Sequence, residues 1–142
     1  MKEMELQADM IEFLNTKTPR VYKVIPFMSR VIDIVSFDEN SVIAYELKIK
    51  NWKKAIEQML EHRIGAHYSY LCMPELSVSE KLEKIIIEKL SFYGFGLCLW
   101  YPDKKEMNIK LKAKKSEYLR KQTLEKLKNN IRDIYGSIEI KS

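Results

Sequence analysis

Apolar positions along this chain switch between two periods, and each switch marks an element. Over residues 3–15, Leu6, Met10, Phe13 and Leu14 recur at helical spacing. Thr18-Pro19 stops that helix, because the residue before a proline disfavours helical backbone. Residues 20–27 read as a first strand, near a sheet edge because Pro26 has no N–H for a ladder. Residues 30–37 and 41–49 alternate with period two around the polar turn Asp38-Glu39-Asn40, which predicts an antiparallel hairpin. Asn51 is placed to cap a helix over 52–65. Trp52, Ala55, Ile56, Met59, Leu60 and Ile64 form its apolar stripe, and Lys54, Gln58 and His62 line a separate row.

Residues 67–74 are the next strand, reached through a helix and so expected parallel to its partner. Ser77-Val-Ser-Glu80 resembles a capping box before a helix that runs to Tyr93 and closes at Gly94. Residues 95–102 form a strongly apolar strand, Asp103-Lys104 a turn, and 105–112 an alternating edge strand. A basic amphipathic helix over 116–132 follows, with Leu119, Leu124, Leu127 and Ile131 on its apolar face, and a tail from Tyr135. The order predicts an α/β domain over 1–142, a mixed β-sheet flanked by helices: an αβββαβ core over 3–74 and an αββα extension over 75–142.

Composition narrows the class without naming a function. An apolar fraction of 46% over 142 residues suits one globular domain. No apolar run is long enough to span a bilayer. The first residues lack the apolar segment of a secretory signal, so a cytoplasmic location is expected. Cys72 and Cys98 each sit in an apolar strand and read as reduced core thiols. The net charge of +5 favours an anionic partner, and cations crowd residues 104–128. A solvated helix face explains such a lysine run equally simply.

The chemistry concentrates in the central hairpin. Asp33 is the only charge within Val31-Ile-Asp-Ile-Val35, and Glu46 and Lys48 follow on the second strand. Period-two alternation points Glu46 and Lys48 to one side and Tyr45, Leu47 and Ile49 to the other. Two carboxylates and an ammonium in an apolar sheet are costly unless something binds them, and a divalent cation with a water would do so. The plain alternative is a surface-facing Glu46/Lys48 pair with Asp33 as a strand-edge or loop-capping residue. His62 and His67 lack the companions of a zinc site and read as non-catalytic.

The order of elements, with a lone acid on one strand and Glu46-Leu47-Lys48 on the next, resembles the PD-(D/E)XK nuclease superfamily, the restriction-endonuclease-like fold. The likeness covers residues 3–74 and looks nearest to the small archaeal Holliday-junction resolvases. It departs at Ile32, where the family has proline. The resemblance implies a Mg²⁺- or Mn²⁺-dependent hydrolase that cuts DNA, structured or branched DNA included, and works as a homodimer. It implies Asp33, Glu46, Lys48 and Gln58 as catalytic residues. Asp33, Glu46, the backbone carbonyl of Leu47 and a first-helix glutamate, Glu5 ahead of Glu12, would bind the metal. Arg30, Lys50, Lys53 and Lys54 are the expected nucleic-acid contacts. The competing readings are a non-catalytic nucleic-acid-binding or regulatory module on the same fold, and a protein-interaction domain that docks through strand 105–112 or the last helix.

Overall fold

The structure is a computed structural model, and it describes residues 1–136. Its order is α1 (Glu3–Asn15), β1 (Val21–Phe27), β2 (Arg30–Asp38), β3 (Ser41–Leu47), α2 (Trp52–His62), β4 (Tyr68–Pro74), α3 (Glu80–Tyr93), β5 (Gly96–Tyr101), β6 (Glu106–Leu111) and α4 (Lys121–Tyr135). The strands form one six-stranded sheet in sequence order, so every strand pairs with the next. β3, β4 and β5 run parallel, each pair joined through a helix, and the remaining neighbours are antiparallel. Among the described residues the chain is therefore a mixed α/β sheet flanked by four helices, with β1 and β6 at its edges.

One face of the sheet is covered by α1, whose Leu6, Met10 and Leu14 are buried with Ile34, Tyr45, Leu47, Tyr70, Cys72, Cys98 and Trp100. Trp100 anchors this layer by donating its indole N–H to Asp9 at 3.1 Å, which spares the sheet an unpaired buried donor. On the other face, Leu127 and Ile131 of α4 pack on Ile25, Phe27, Ile32, Val35, Phe37, Val42 and Ala44. Beside them α2 and α3 cover Leu71, Met73, Leu97 and Leu99. Both thiols are fully buried and free.

Several local expectations shift. Asn51 precedes α2 in the left-handed region (φ 53°) and makes no side-chain cap. Ser79, not Ser77, caps α3, accepting from the Leu82 N–H at 3.2 Å, while Ser77 lies in a short 3-10 turn. Residues 112–120 form an irregular crossing with a turn at 117–118 rather than the start of the last helix, because their polar groups bond to other segments: Ser116 N–H to His67 O, Ser116 Oγ to Arg63 O, and Lys114 N–H to Gly94 O. Tyr135 belongs to α4 rather than to a tail: its hydroxyl donates to Lys23 O, and its ring packs 4.9 Å from Tyr22. The rest of the expected tail, residues 137–142, lies outside the described residues.

Candidate functional site

The period of β2 slips at Asp33. Ile32 packs with Val35 and Phe37 on the α4 side, whereas Ile34 packs on the α1 side, which an unbroken alternation forbids. β1 slips opposite it. Its ladder to β2 holds Lys23 against Ile34 and Ile25 against Ile32 but drops the Val24/Asp33 pair, and Val24 takes φ 52°, uncommon for a β-branched residue. On the other side the β2–β3 ladder ends at Ile34/Tyr45. Asp33 is thus released from both neighbours.

Its freed groups are satisfied by other partners. The Asp33 Oδ2 accepts the Leu47 N–H at 2.8 Å, and its backbone O accepts Gln7 Nε2 from α1 at 3.1 Å. The carboxylate therefore bridges the place where β2 and β3 part, next to Glu46. A cleft of about 230 Å³ opens there, lined by Glu3, Met4, Gln7, Asp33 and Leu47.

Glu46 is 1% exposed, a burial that carboxylates rarely reach without a partner. Burial pushes the Asp33 carboxyl up to about 7, with the Glu46 charge adding to the shift; the Leu47 N–H and Lys48 oppose it. Burial also pushes Glu46 up to about 7, opposed by contacts with Asp33 and by the charges of Lys48 and Arg30. The two groups lie within hydrogen-bonding reach of each other and favour holding one proton between them. That bond exists only when one of them is protonated. With both ionised, neither Glu46 oxygen has a donor of good geometry.

His62, at the end of α2, approaches Glu46 most closely: its Nδ1 is 2.7 Å from Oε1, and the ring is completely buried. The two atoms are close but not aligned for a hydrogen bond of good geometry. Burial holds the imidazole down to about 4, so it is neutral at pH 7. At that distance two facing lone pairs would repel, so a proton lies between the two atoms. One turn earlier, Gln58 has a buried Oε1 with no partner.

Among the residues the sequence singled out, Asp33, Glu46, Leu47 and Lys48 come together, and Gln58 lies one turn from His62. The expectation that Lys48 follows the alternation of Glu46 fails because β3 ends at Leu47. Lys48 reaches the α1 side instead, with its Nζ 3.8 Å from Glu3, while its charge still acts on both carboxylates. Glu5 is displaced from the site by Glu3: Glu5 is exposed, accepts the Lys2 N–H at 3.4 Å and does not line the cleft. Arg30 pairs with Glu61 at 2.8 Å, and Lys50, Lys53 and Lys54 are exposed around the start of α2. His67 is structural, its Nδ1 accepting the Val42 N–H at 2.9 Å.

The sequence reading missed Glu3, Gln7 and His62. The helical spacing of Glu3 and Gln7, one turn apart beside buried Leu6 and Met10, was a signal for the first two. For His62 the signal was its place one turn after Gln58, but no local pattern distinguishes a buried histidine from a solvated one.

Hard oxygen donors suit Mg²⁺ or Mn²⁺, and the site holds two carboxylates beside the backbone of Leu47, with Glu46 Oε2 and Gln58 Oε1 buried and unpartnered. This donor set fits such an ion, although among the described residues no group of three or more His, Cys, Asp or Glu side chains forms a ready-made metal cage.

No family model matches the chain, and no curated protein does. Its fold is similar to those of several solved structures, two of which follow. One is the SPO1766 protein of unknown function from Silicibacter pomeroyi, with TM-score 0.63, 11% identity, and coverage of 94% of this chain and 86% of that one. The other is an fdxN element excision controlling factor protein from Anabaena variabilis, with TM-score 0.53, 14% identity, and coverage of 73% of this chain and 96% of that one. At such identities the likeness speaks for the fold alone. No helix among the described residues is long and apolar enough to cross a membrane.

Proposed function

We propose that the chain is a metal-dependent phosphodiesterase acting on DNA, of the PD-(D/E)XK kind, with its centre where β2 and β3 part. The observation that carries this reading is the pairing of Asp33 and Glu46 in burial, both pushed up to about 7, with Lys48 close enough to act on each. Such a buried pair costs stability, and a site for a cation and a phosphate would use it.

Asp33, Glu46 and the Leu47 carbonyl would hold the ion. Once bound, it would polarise the phosphoryl oxygen and make water more acidic. The chain's own groups do the remaining work. The Leu47 N–H fixes the Asp33 carboxylate, and Gln7 fixes its backbone. Lys48 orients the attacking water and offsets negative charge growing on the phosphoryl oxygens. Exposed Lys50, Lys53 and Lys54 offer charge to the neighbouring phosphates.

The test is cleavage of labelled duplex, single-stranded and four-way-junction DNA with Mg²⁺ or Mn²⁺. Cleavage by the wild type that disappears in Glu46→Ala and Asp33→Asn supports the reading, and cleavage that survives either change overturns it. Salt-sensitive binding without cleavage, indifferent to metal and to Asp33→Ala, would assign the chain to the non-catalytic nucleic-acid-binding class instead.

A further inference from the structure

A second cleft, of about 430 Å³, lies between the end of α2, the turn from α3 into β5 and the crossing of residues 112–120. It sits at the other end of the sheet from Glu46. Glu46 is near the C-terminal end of β3, whereas Ser69 is the second residue of β4 and Gly94 precedes β5, and these strands run parallel.

Its lining is cationic, hydroxylic and aromatic at once. Arg63, Lys114 and Lys115 contribute three positive charges against the single carboxylate of Glu117. Among the described residues, no carboxylate forms a salt bridge with any of the three. Ser69 is 4% exposed, and its Oγ has no hydrogen-bond partner. The Arg63 Nε is likewise buried and unpartnered, although its guanidinium lies 3.8 Å from the Tyr118 ring centre. A buried hydroxyl and a buried guanidinium N–H left without acceptors are costly, and an anion seated between them would satisfy both. At the rim, Phe92 is 82% exposed, an unusual position for a large apolar ring beside a charged cleft.

We propose that this cleft binds a nucleoside phosphate. The phosphate lies against Arg63, Lys114 and Lys115 and accepts the Ser69 hydroxyl, and the base stacks on Phe92. The volume falls in the range of small-ligand pockets. Aromatic rings stack on any base, and lysines neutralise phosphate, so the two halves of the ligand match the two halves of the lining. A free nucleotide and the phosphorylated end of a nucleic-acid strand share this chemistry.

The experiment is calorimetric titration of the full chain at low salt with AMP, adenosine, inorganic phosphate, and a short oligodeoxyadenylate with and without a 5′-phosphate. AMP is expected to bind at least about tenfold more tightly than adenosine or phosphate alone, the scale of one base–aromatic stack. Phe92→Ala should remove that advantage. Lys114→Gln/Lys115→Gln should weaken AMP by about tenfold or more, as lost charge-assisted contacts do. All three altered side chains are exposed, so unchanged melting temperatures will certify folded variants. A 5′-phosphorylated oligonucleotide that displaces AMP and binds more tightly identifies a strand end as the ligand, whereas tighter AMP identifies the free nucleotide. The proposal is overturned if neither AMP nor the phosphorylated oligonucleotide binds, or if the double lysine variant binds AMP as the wild type does.

Discussion

His62 Nδ1 stands 2.7 Å from Glu46 Oε1, and both side chains are buried. A neutral imidazole there can hold one carboxylate oxygen and leave the other for a ligand. Outer partners of this kind typically matter by 10- to 100-fold in metal affinity. His62→Leu is therefore expected to weaken Mn²⁺ binding by roughly 10- to 100-fold, while His62→Asn, whose amide N–H can replace Nδ1–H, retains most of it. Calorimetric Mn²⁺ titration of folded variants checks this. Equal affinities in all three proteins would make the histidine a packing residue only.

The raised carboxyls of Asp33 and Glu46 bear on stability as well. The native state binds their protons more tightly than the unfolded chain, so this pair costs nothing at low pH. Its penalty grows as pH rises from about 4 to about 7 and is fully present above that. His62, held down to about 4, works in the opposite sense below its ordinary value of 6.5. Glu46→Gln isolates the carboxylate part. Its melting temperature should exceed that of the wild type at pH 8 by several degrees, a gain of order 1 kcal/mol or more, and the difference should shrink towards pH 5. Differential scanning calorimetry at both pH values decides it. A difference independent of pH would contradict the assigned ionisation.

Glu3 and Glu5 make separable claims. Glu3 lines the cleft with Asp33 and pairs with Lys48 at 3.8 Å, whereas Glu5 is exposed at the helix start. In a metal-dependent cleavage assay, Glu3→Gln is expected to lower the rate by about tenfold, through the altered charge around Lys48. Glu5→Gln should leave the rate unchanged and cost under about 1 kcal/mol of helix-start stability. The reverse ranking would return the first-helix role to Glu5.

Gly96 is where β5 lies close against both of its neighbours in the sheet, β4 and β6. A Cβ there would stand 2.7 Å from the Leu111 carbonyl oxygen and collide with the Tyr70 ring, whose hydroxyl accepts the Ala113 N–H at 3.2 Å. The Leu111 oxygen belongs to the paired β6 backbone and cannot swing away as a side-chain tip could. Gly96→Ala is expected to cost about 1–3 kcal/mol in urea unfolding, the scale of overpacking in a core. A neutral substitution would show that β5 and β6 separate easily.

Residue patterns carried the sheet and its helices far into the fold. Pro26 and the clean alternation of 105–112 marked the two edge strands, and the helix between 41–49 and 67–74 indicated the parallel pairing of β3 with β4. These features are local, since period, caps and turns are written in consecutive residues. Less legible were the irregular crossing at 112–120 and the break at Asp33. The first is held by bonds to Arg63, His67 and Gly94, all distant in sequence. The second requires β1 and β2 to slip together at Val24 and Asp33, a pairwise event that neither strand's own alternation reveals.

The sequence alone determined that Asp33, Glu46 and Lys48 were chemically expensive in an apolar hairpin, because the cost of burying charge is set by residue type. Tertiary structure decided which partners share that cost. It put His62 against Glu46, gave the Asp33 backbone to Gln7, and chose Glu3 over Glu5, because contacts between elements depend on where helices land on a twisted sheet.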